Sequence, residues 1–322
     1  MTELTTNNPD ILELLPRLAD ADAAVRRIAL IELADLEDPD ALPWLTRTLG
    51  DEPAFEVRAE AARLLEAWEE PEVVSALCAA LADANETVRA AAAQSLSELK
   101  SVEAGRVILP WAAHDDAFVR ASALRALREL RLVEAAPLAL GALHDSHAFV
   151  RREAVGILGW LKQIDALPAL ANLASSDPDT EVRRAATGAL GLANDATVLP
   201  ALRVALCDRE WQVREEAATT LGKVGLSEAG PALIGALADG YWQVRLRAAR
   251  ALGRLRFAAA LPELVDLLGH STSNLRREAA LALGELADIS AVPALQAAES
   301  DGDPEVRKAV RIALAQLQDA RQ

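Results

Sequence analysis

The chain has 322 residues, of which 52% are apolar, 25% charged and 3% aromatic, with 49 acidic against 33 basic side chains and a net charge of −16. This apolar fraction argues against a disordered chain. The acidity argues against a surface devoted to nucleic acid, because phosphate binding needs a surplus of Lys and Arg. Cys78 and Cys207 form no CxxC pair, so neither a disulfide framework nor a thiol zinc site is indicated.

The N-terminal residues, MTELTTNNPD, lack a basic segment followed by an apolar run. No stretch of about 18 uncharged apolar residues occurs, so no membrane span is predicted. We expect a cytoplasmic protein with a flexible segment over residues 1–9 and a single domain over residues 1–322.

A repeat of 31 or 32 residues then governs the chain. Its clearest mark is the dipeptide Val-Arg, found at Val25, Val57, Val88, Val119, Val150, Val182, Val213, Val244 and Val306, with Leu275-Arg276 at the ninth position. The residue five places before is acidic in eight of the ten cases, and His114 and His270 are the two exceptions. We expect the arginines and these acids to join the turns of adjacent repeats through charge-assisted hydrogen bonds.

Each repeat predicts two helices. A proline such as Pro168, Pro200 or Pro231 opens the first helix, where a missing N–H costs nothing. The second helix opens close to Val-Arg, carries small and apolar residues at helical spacing, and ends at Gly or a polar turn. Ten such pairs, each unable to bury its apolar face alone, predict an all-α, right-handed α-solenoid of about ten two-helix HEAT-like repeats.

The pattern D-xxxx-VR-xx-AA-xx-LG with a proline-led first helix resembles the short HEAT-like repeats of the phycobilisome-lyase-like (E/Z-type) class, over residues of about 10 to 318. The resemblance is specific for fold and not for function, since such proteins include adaptors, assembly factors, subunits of bilin lyases and DNA-repair glycosylases. It implies that the second helices line a concave side, and that the residues just before Val-Arg bind partners.

Recognition should lie at positions that differ between repeats. The two places before Val hold Phe55, Phe118, Phe149, Trp211 and Trp242, and Tyr241 is adjacent. Such rings either bind a partner, because aromatic and Arg side chains dominate binding hot spots, or pack over their own turns. We favour Trp211 and Trp242 as a contact surface, because adjacent repeats should place them side by side.

Charge is also uneven along the chain. Residues 1–80 carry 18 acids against six arginines, whereas residues 241–281 carry seven arginines against three acids. Arg247, Arg250 and Arg254 recur at helical spacing, which places them on one face. Together with Tyr241 and Trp242 they predict a site for an anionic or acidic partner, although a solvated helix face is the simpler interpretation.

His114, His144 and His147 lie at equivalent turns and are a weak candidate for a metal site, but no established ligand spacing supports them, so no metal site is predicted. No nucleotide-binding, zinc-protease or nucleophile-elbow motif is present. No catalytic residue and no cofactor are therefore predicted.

The sequence favours a non-catalytic scaffold or adaptor for a protein partner. We expect it to bind neither nucleic acid nor a membrane and to act as a monomer. It would assist the assembly or maturation of the partner through its concave surface. The alternative, from the enzyme class, is a bilin lyase or lyase subunit that holds a linear tetrapyrrole near its acceptor protein. A DNA-binding HEAT-like protein that uses the arginine cluster is the third hypothesis, and the net charge disfavours it.

Overall fold

The computed structural model describes residues 4–319, and within them it has twenty α-helices, short 3-10 turns and no β-strand. The all-α solenoid of two-helix repeats predicted from the sequence is confirmed. The chain divides after Leu161 into two compact units, each with five helix pairs. The expectation of a single domain over residues 1–322 stays a prediction.

Unit 1 contains helices α1 to α10. Their bounds are α1 Pro9–Leu18, α2 Ala23–Ala34, α3 Leu42–Asp51, α4 Phe55–Leu64, α5 Pro71–Ala80, α6 Glu86–Ser97, α7 Val102–Ile108, α8 Ala117–Leu130, α9 Ala136–Ala142 and α10 Ala148–Trp160. Of the segment expected to be flexible, residues 1–3 lie outside the described residues. Asn8 caps α1 by accepting a hydrogen bond from the amide of Asp10, and its side chain donates to Asp38.

Unit 2 contains helices α11 to α20. Their bounds are α11 Leu167–Ser176, α12 Thr180–Ala189, α13 Leu199–Leu206, α14 Trp211–Val224, α15 Gly230–Ala236, α16 Trp242–Arg254, α17 Leu261–Leu267, α18 Ser273–Leu286, α19 Val292–Ala297 and α20 Pro304–Asp319.

Proline and aspartate set where these helices begin. In α11 a 3-10 turn at Ile164–Ala166 leads into Leu167, and Pro168 follows in the first turn, where its missing N–H has no partner to lose. The next helix begins after Asp179, whose side chain accepts hydrogen bonds from the amides of Glu181 and Val182. The predicted helix starts, at proline and close to Val-Arg, are therefore confirmed here, and the structure adds the Asp179 cap.

Small side chains let the second helices of successive repeats approach closely. The core is a thin layer of Ala, Leu and Val, and α14, α16 and α18 pack against one another in order. A Cβ added to Gly253 would lie 2.7 Å from the Cα of Ala282, and one added to Gly222 would lie 2.9 Å from the Cβ of Ala251. These glycines are required for close helix contact.

The expectation that the second helix ends at Gly or a polar turn is met by glycine in α14. Gly225 ends α14 at φ +76°, but Gly253 lies inside α16. In α8 and α18 the left-handed residue after the helix is Arg131 or Ala287. The recurring Leu-Gly pair of these repeats serves helix packing rather than helix termination. The turn after the helix is formed by the residue that follows, whatever its type.

Candidate functional site

The repeated arginines are occupied in joining one repeat to the next. In unit 2, Nε and Nη2 of Arg183 donate to the two carboxylate oxygens of Asp208 at 2.7 and 3.0 Å, while Nη1 donates to the carbonyl of Asp177 at 2.9 Å. Only 6% of the Arg183 side chain is exposed. The same two-pronged pairing recurs at Arg26–Glu52, Arg58–Asp83, Arg120–Asp145, Arg214–Asp239 and Arg276–Asp301. The predicted arginine and acid ladder is therefore confirmed, with a structural role.

Each acid of the ladder also caps its own turn. The Oδ1 atom of Asp208 accepts a hydrogen bond from the amide of Glu210 at 2.9 Å. Burial raises the pKa of Asp208, but the hydrogen bonds from Arg183 and from that amide outweigh it, so the pKa of this carboxyl lies below its ordinary value. The carboxylate is thereby kept ionised and paired.

The two histidine exceptions keep the capping hydrogen bond and change the pairing. Nδ1 of His270 accepts from the amide of Thr272 at 3.0 Å, and its Nε2 lies 3.2 Å from Nη1 of Arg245. Arg245 turns its Nε to the carbonyl of Asp239 instead of to a carboxylate. This step of unit 2 therefore lacks the two-pronged ion pair.

The predicted partner-binding rings are exposed at the first turns of second helices. Unit 1 holds Phe55, Phe118 and Phe149 on three different helices. The guanidinium of Arg89 lies 5.7 Å from the centre of the Phe118 ring, and Phe149 packs against His147. These rings are spread along unit 1, and Phe118 and Phe149 each contact a local neighbour.

In unit 2 the predicted rings come closer together. Trp211 stacks on Tyr241 with ring centres 5.6 Å apart and an angle of 14° between the planes. The guanidinium of Arg214 lies over the Tyr241 ring, 5.5 Å from its centre. Tyr241 is 48% exposed and Trp242 is 40% exposed. The pairing that the structure shows is thus Trp211 with Tyr241, and joint action of Trp211 with Trp242 stays a prediction.

Arg247, Arg250 and Arg254 lie along one face of α16, next to Trp242. Arg250 makes two hydrogen bonds of 2.7 Å to Glu278 of α18, a side chain in a residue that is 3% exposed. The hydrogen bond that Arg250 donates to Glu278 raises the pKa of Arg250. Nε of Arg247 donates to Glu215 of α14 at 3.0 Å, so these two arginines bridge α16 to both neighbouring second helices.

These arginines line three cavities that share lining residues. The first has a volume of about 240 Å³ and lies between Trp242, Gln243, Arg247, Arg250, Asn274 and Arg277. The second, of about 190 Å³, shares Arg247 and Arg250 and reaches Arg254. The third, of about 610 Å³, begins at Arg254 and includes Arg256 and Glu285. We call this surface, with Trp242, Arg247, Arg250, Arg254, Arg256 and Arg277, the arginine groove.

Arg277 is a groove residue that the sequence reasoning missed. In the described residues it forms no hydrogen bond or ion pair, and its Nε is buried without a partner, as is Oε1 of Gln243. Its position was available from the repeat register, because it stands two places after Leu275 as Leu246 stands two places after Val244. The groove therefore contains an unpaired cation on the helix next to the predicted ones.

The histidine cluster is not assembled as a metal site. His114 stacks on Trp111 and its Nδ1 accepts from the amide of Asp116, while Nδ1 of His147 lies 3.3 Å from Asp145. Across residues 4–319, no three His, Cys, Asp or Glu side chains gather as metal ligands, so His114, His144 and His147 are not brought together.

The cysteines offer no reactive pair. Cys78 is buried, which raises the pKa of its thiol to about 12, and Cys207 is exposed. The buried thiol therefore stays protonated.

The comparisons decide the family. A family model described as HEAT repeats matches residues 11–97, 50–128, 105–191, 168–241 and 230–315. The chain belongs to the HEAT-repeat family. No curated protein matches the chain, and none of the helices described is both long and apolar enough to cross a membrane.

Solved HEAT-type structures resemble the chain over most of its length. YibA of Escherichia coli is 22% identical, with 80% of this chain and 95% of YibA covered and a TM-score of 0.61. Kap95p, solved with RanGDP, is 15% identical, with 96% of this chain covered and a TM-score of 0.68, and this chain spans 50% of it. At these identities the likeness shows the fold alone.

The CpcE–CpcF phycocyanin lyase of Nostoc sp. PCC7120 is 26% identical, with 68% and 88% of the two chains covered. Its TM-score of 0.45 is too low to carry an argument about function.

Proposed function

We propose that this HEAT-repeat protein is a non-catalytic scaffold that holds a protein partner and assists its assembly or maturation. The observation that carries the proposal is that two sets of side chains in unit 2 have different roles. The arginines common to the repeats pair with acids of the next repeat, whereas the rings and arginines that differ between repeats are exposed or half-buried at the surface of α14, α16 and α18. Kap95p, of the same fold, binds RanGDP, which supports partner binding by such solenoids in general.

The proposed contact surface consists of the Trp211–Tyr241 stack, Trp242 and the arginine groove. Large rings with an adjacent guanidinium are the side chains most often found at binding hot spots. They are held rigidly, because Arg214, which lies over Tyr241, is itself fixed by Asp239 at 2.6 and 3.0 Å. A preformed surface of this kind loses little conformational entropy when a partner binds.

The test is site-specific cross-linking followed by a binding measurement with purified partner. A photoreactive residue at position 242 should capture a partner in the native host, and the same residue at position 160, an exposed Trp of unit 1, should not. The purified partner should then bind Trp211→Ala/Trp242→Ala at least tenfold more weakly than the unsubstituted protein. Unchanged binding by this variant would show that the contact surface is wrong.

The bilin-lyase alternative stays a prediction, with its own check. If the protein is a scaffold, its addition should leave the absorption spectrum of a linear tetrapyrrole unchanged, with or without an acceptor subunit. A red-shifted band that persists after denaturation would favour the lyase over the scaffold. The absence of a cofactor and the monomeric state are also predictions, and sedimentation of the purified protein measures the second.

A further inference from the structure

The arginine groove carries an excess of accessible positive charge in a strongly acidic protein. Its cavities are lined by five arginines and by three carboxylates, which are Glu215, Glu285 and Asp319, and a fourth carboxylate, Glu278, is paired with Arg250. Two of these carboxylates, Glu215 and Glu278, are already held by Arg247 and Arg250. Burial raises the pKa of a third, Glu285, while the charges of Arg254, Arg250 and Arg256 act in the opposite direction. The groove therefore holds more arginines than carboxylates, five against four.

Three of the arginines have no carboxylate within ion-pair distance in the described part of the chain. They are Arg277 at one end of the groove and Arg254 and Arg256 at the other. A guanidinium in a concave, partly desolvated surface binds a carboxylate through forked hydrogen bonds more strongly than one in open solvent. The groove thus presents cationic anchors at both of its ends.

The groove has the length of a short extended peptide. It follows α16 from Trp242 to Arg254, a rise of about 18 Å at 1.5 Å per residue. An extended chain covers that length with five or six residues. The middle cavity, of about 190 Å³, is smaller than the roughly 400 Å³ that one helical turn 10 Å wide and 5.4 Å long occupies. An extended segment therefore fits the groove better than a helical one.

From this charge and shape we infer that the arginine groove binds an extended, acidic segment of a partner protein. Arg247 and Arg254 lie seven residues apart on α16, which is about 10 Å along the helix axis. Three residues of extended chain cover the same distance. The segment carries two acidic residues about three positions apart, one paired with Arg277 beside Arg247 and one with Arg254, and an apolar residue against Trp242. This inference rests on the proposed scaffold function and adds the chemistry of the partner.

The test uses a labelled ten-residue peptide with two Glu residues three positions apart and one Leu, measured by fluorescence anisotropy against the full chain. We expect saturable binding that weakens with salt. Gln in place of both Glu residues should abolish it, and moving the two Glu residues next to each other should weaken it several-fold. Arg277→Gln and Arg254→Gln should each weaken binding about tenfold, the equivalent of one charge-assisted pair.

A matched control and a competitor separate this inference from non-specific attraction. Arg106→Gln removes the same charge from an exposed residue of unit 1 and should leave the affinity unchanged. Equal loss in all three variants, or equal binding of the adjacent-Glu peptide, would overturn the inference. If a short RNA at equal charge concentration displaced the peptide, the groove would bind polyanions in general, and the inference of an acidic protein segment would be overturned.

The failures of the two proposals are distinguishable. If cross-linking at position 242 captures a partner whose binding is unaffected by Arg277→Gln and Arg254→Gln, the scaffold function stands and the acidic segment is wrong. If the purified partner binds Trp211→Ala/Trp242→Ala as tightly as the unsubstituted protein, the scaffold surface is wrong, whereas saturable peptide binding that Arg277→Gln and Arg254→Gln each weaken would still support the acidic segment.

Discussion

Replacing His270 by Asp should stabilise unit 2, because it would complete the one ladder step there that lacks an ion pair. At the preceding step, Arg214 donates to Asp239 at 2.6 and 3.0 Å. An Asp at position 270 could accept from Arg245 in the same way, and its Oδ1 could keep the hydrogen bond from the amide of Thr272 that His270 now accepts. The substitution therefore adds two charge-assisted hydrogen bonds and loses only the contact with the imidazole.

The gain can be bounded from the exposed fractions of the equivalent pair. A hydrogen bond to a charged group contributes about 1.5–3 kcal/mol, whereas fully exposed pairs contribute about 1 kcal/mol or less. The side chains of Arg214 and Asp239 are 14% and 10% exposed, so an intermediate value applies. We expect His270→Asp to raise the free energy of unfolding by about 1–2 kcal/mol, with a rise in Tm of about 2–4 °C for each kcal/mol.

The assay is chemical denaturation at pH 7, with the reciprocal change as control. Asp208→His should lower the stability by about 3 kcal/mol, because it leaves the buried guanidinium of Arg183 without its carboxylate. Hydrogen exchange should show slower opening of α16 and α18 in His270→Asp. An unchanged or lower midpoint for His270→Asp, at an unchanged denaturant slope, would refute the view that the ladder pairs stabilise the stacking of repeats.

Three further outcomes are expected. Gly253→Ala should destabilise the protein by about 1–3 kcal/mol, because the new Cβ would lie 2.7 Å from the Cα of Ala282. The control Gly235→Ala, whose Cβ would have nothing within 4 Å, should be neutral or stabilise by up to about 1 kcal/mol. Equal midpoints in denaturant for the two variants would contradict the close helix contact. Ala287→Gly should stabilise by about 1 kcal/mol, since the residue ends α18 at φ 59°, and a lower Tm would count against this. The pKa of Asp208 is lower in the folded state than the ordinary unfolded value near 3.9, so its stabilisation is complete above about pH 4 and is lost as the pH falls further; acid titration of Asp208→Asn should show a smaller loss, and identical curves would exclude this carboxyl as a contributor.

The repeat pattern predicted the fold because the signals are local. A proline opens one helix and the next begins close to Val-Arg, and both signals act within a single turn. The ladder was equally accessible, because one arginine and one acid recur at a fixed spacing. Such rules need no knowledge of distant contacts.

The groove was only partly predictable, because three helices build it. Helical spacing placed Arg247, Arg250 and Arg254 on one face, and the structure agrees. Spacing within α16 carries no information on Arg277, which lies on α18, or on how many of these cations a neighbouring carboxylate has already taken. The same reason explains why Trp211 was associated with Trp242 instead of Tyr241, since ring packing depends on side-chain angles that a repeat register does not fix.

The ladder also limits how such a chain can change in length. Each arginine reaches an acid 25 residues further on in most repeats, and 26 further on at Arg26–Glu52, so a repeat between two complete ladder steps accepts from the one before it and donates to the one after it. Insertion or loss of one whole repeat within a unit leaves the remaining partners facing each other, whereas an insertion of several residues between an arginine and its acid leaves a half-buried charge opposite the wrong residue. The ion pairs thus constrain the spacing between repeats. A solenoid of this type therefore gains or loses surface in whole repeats.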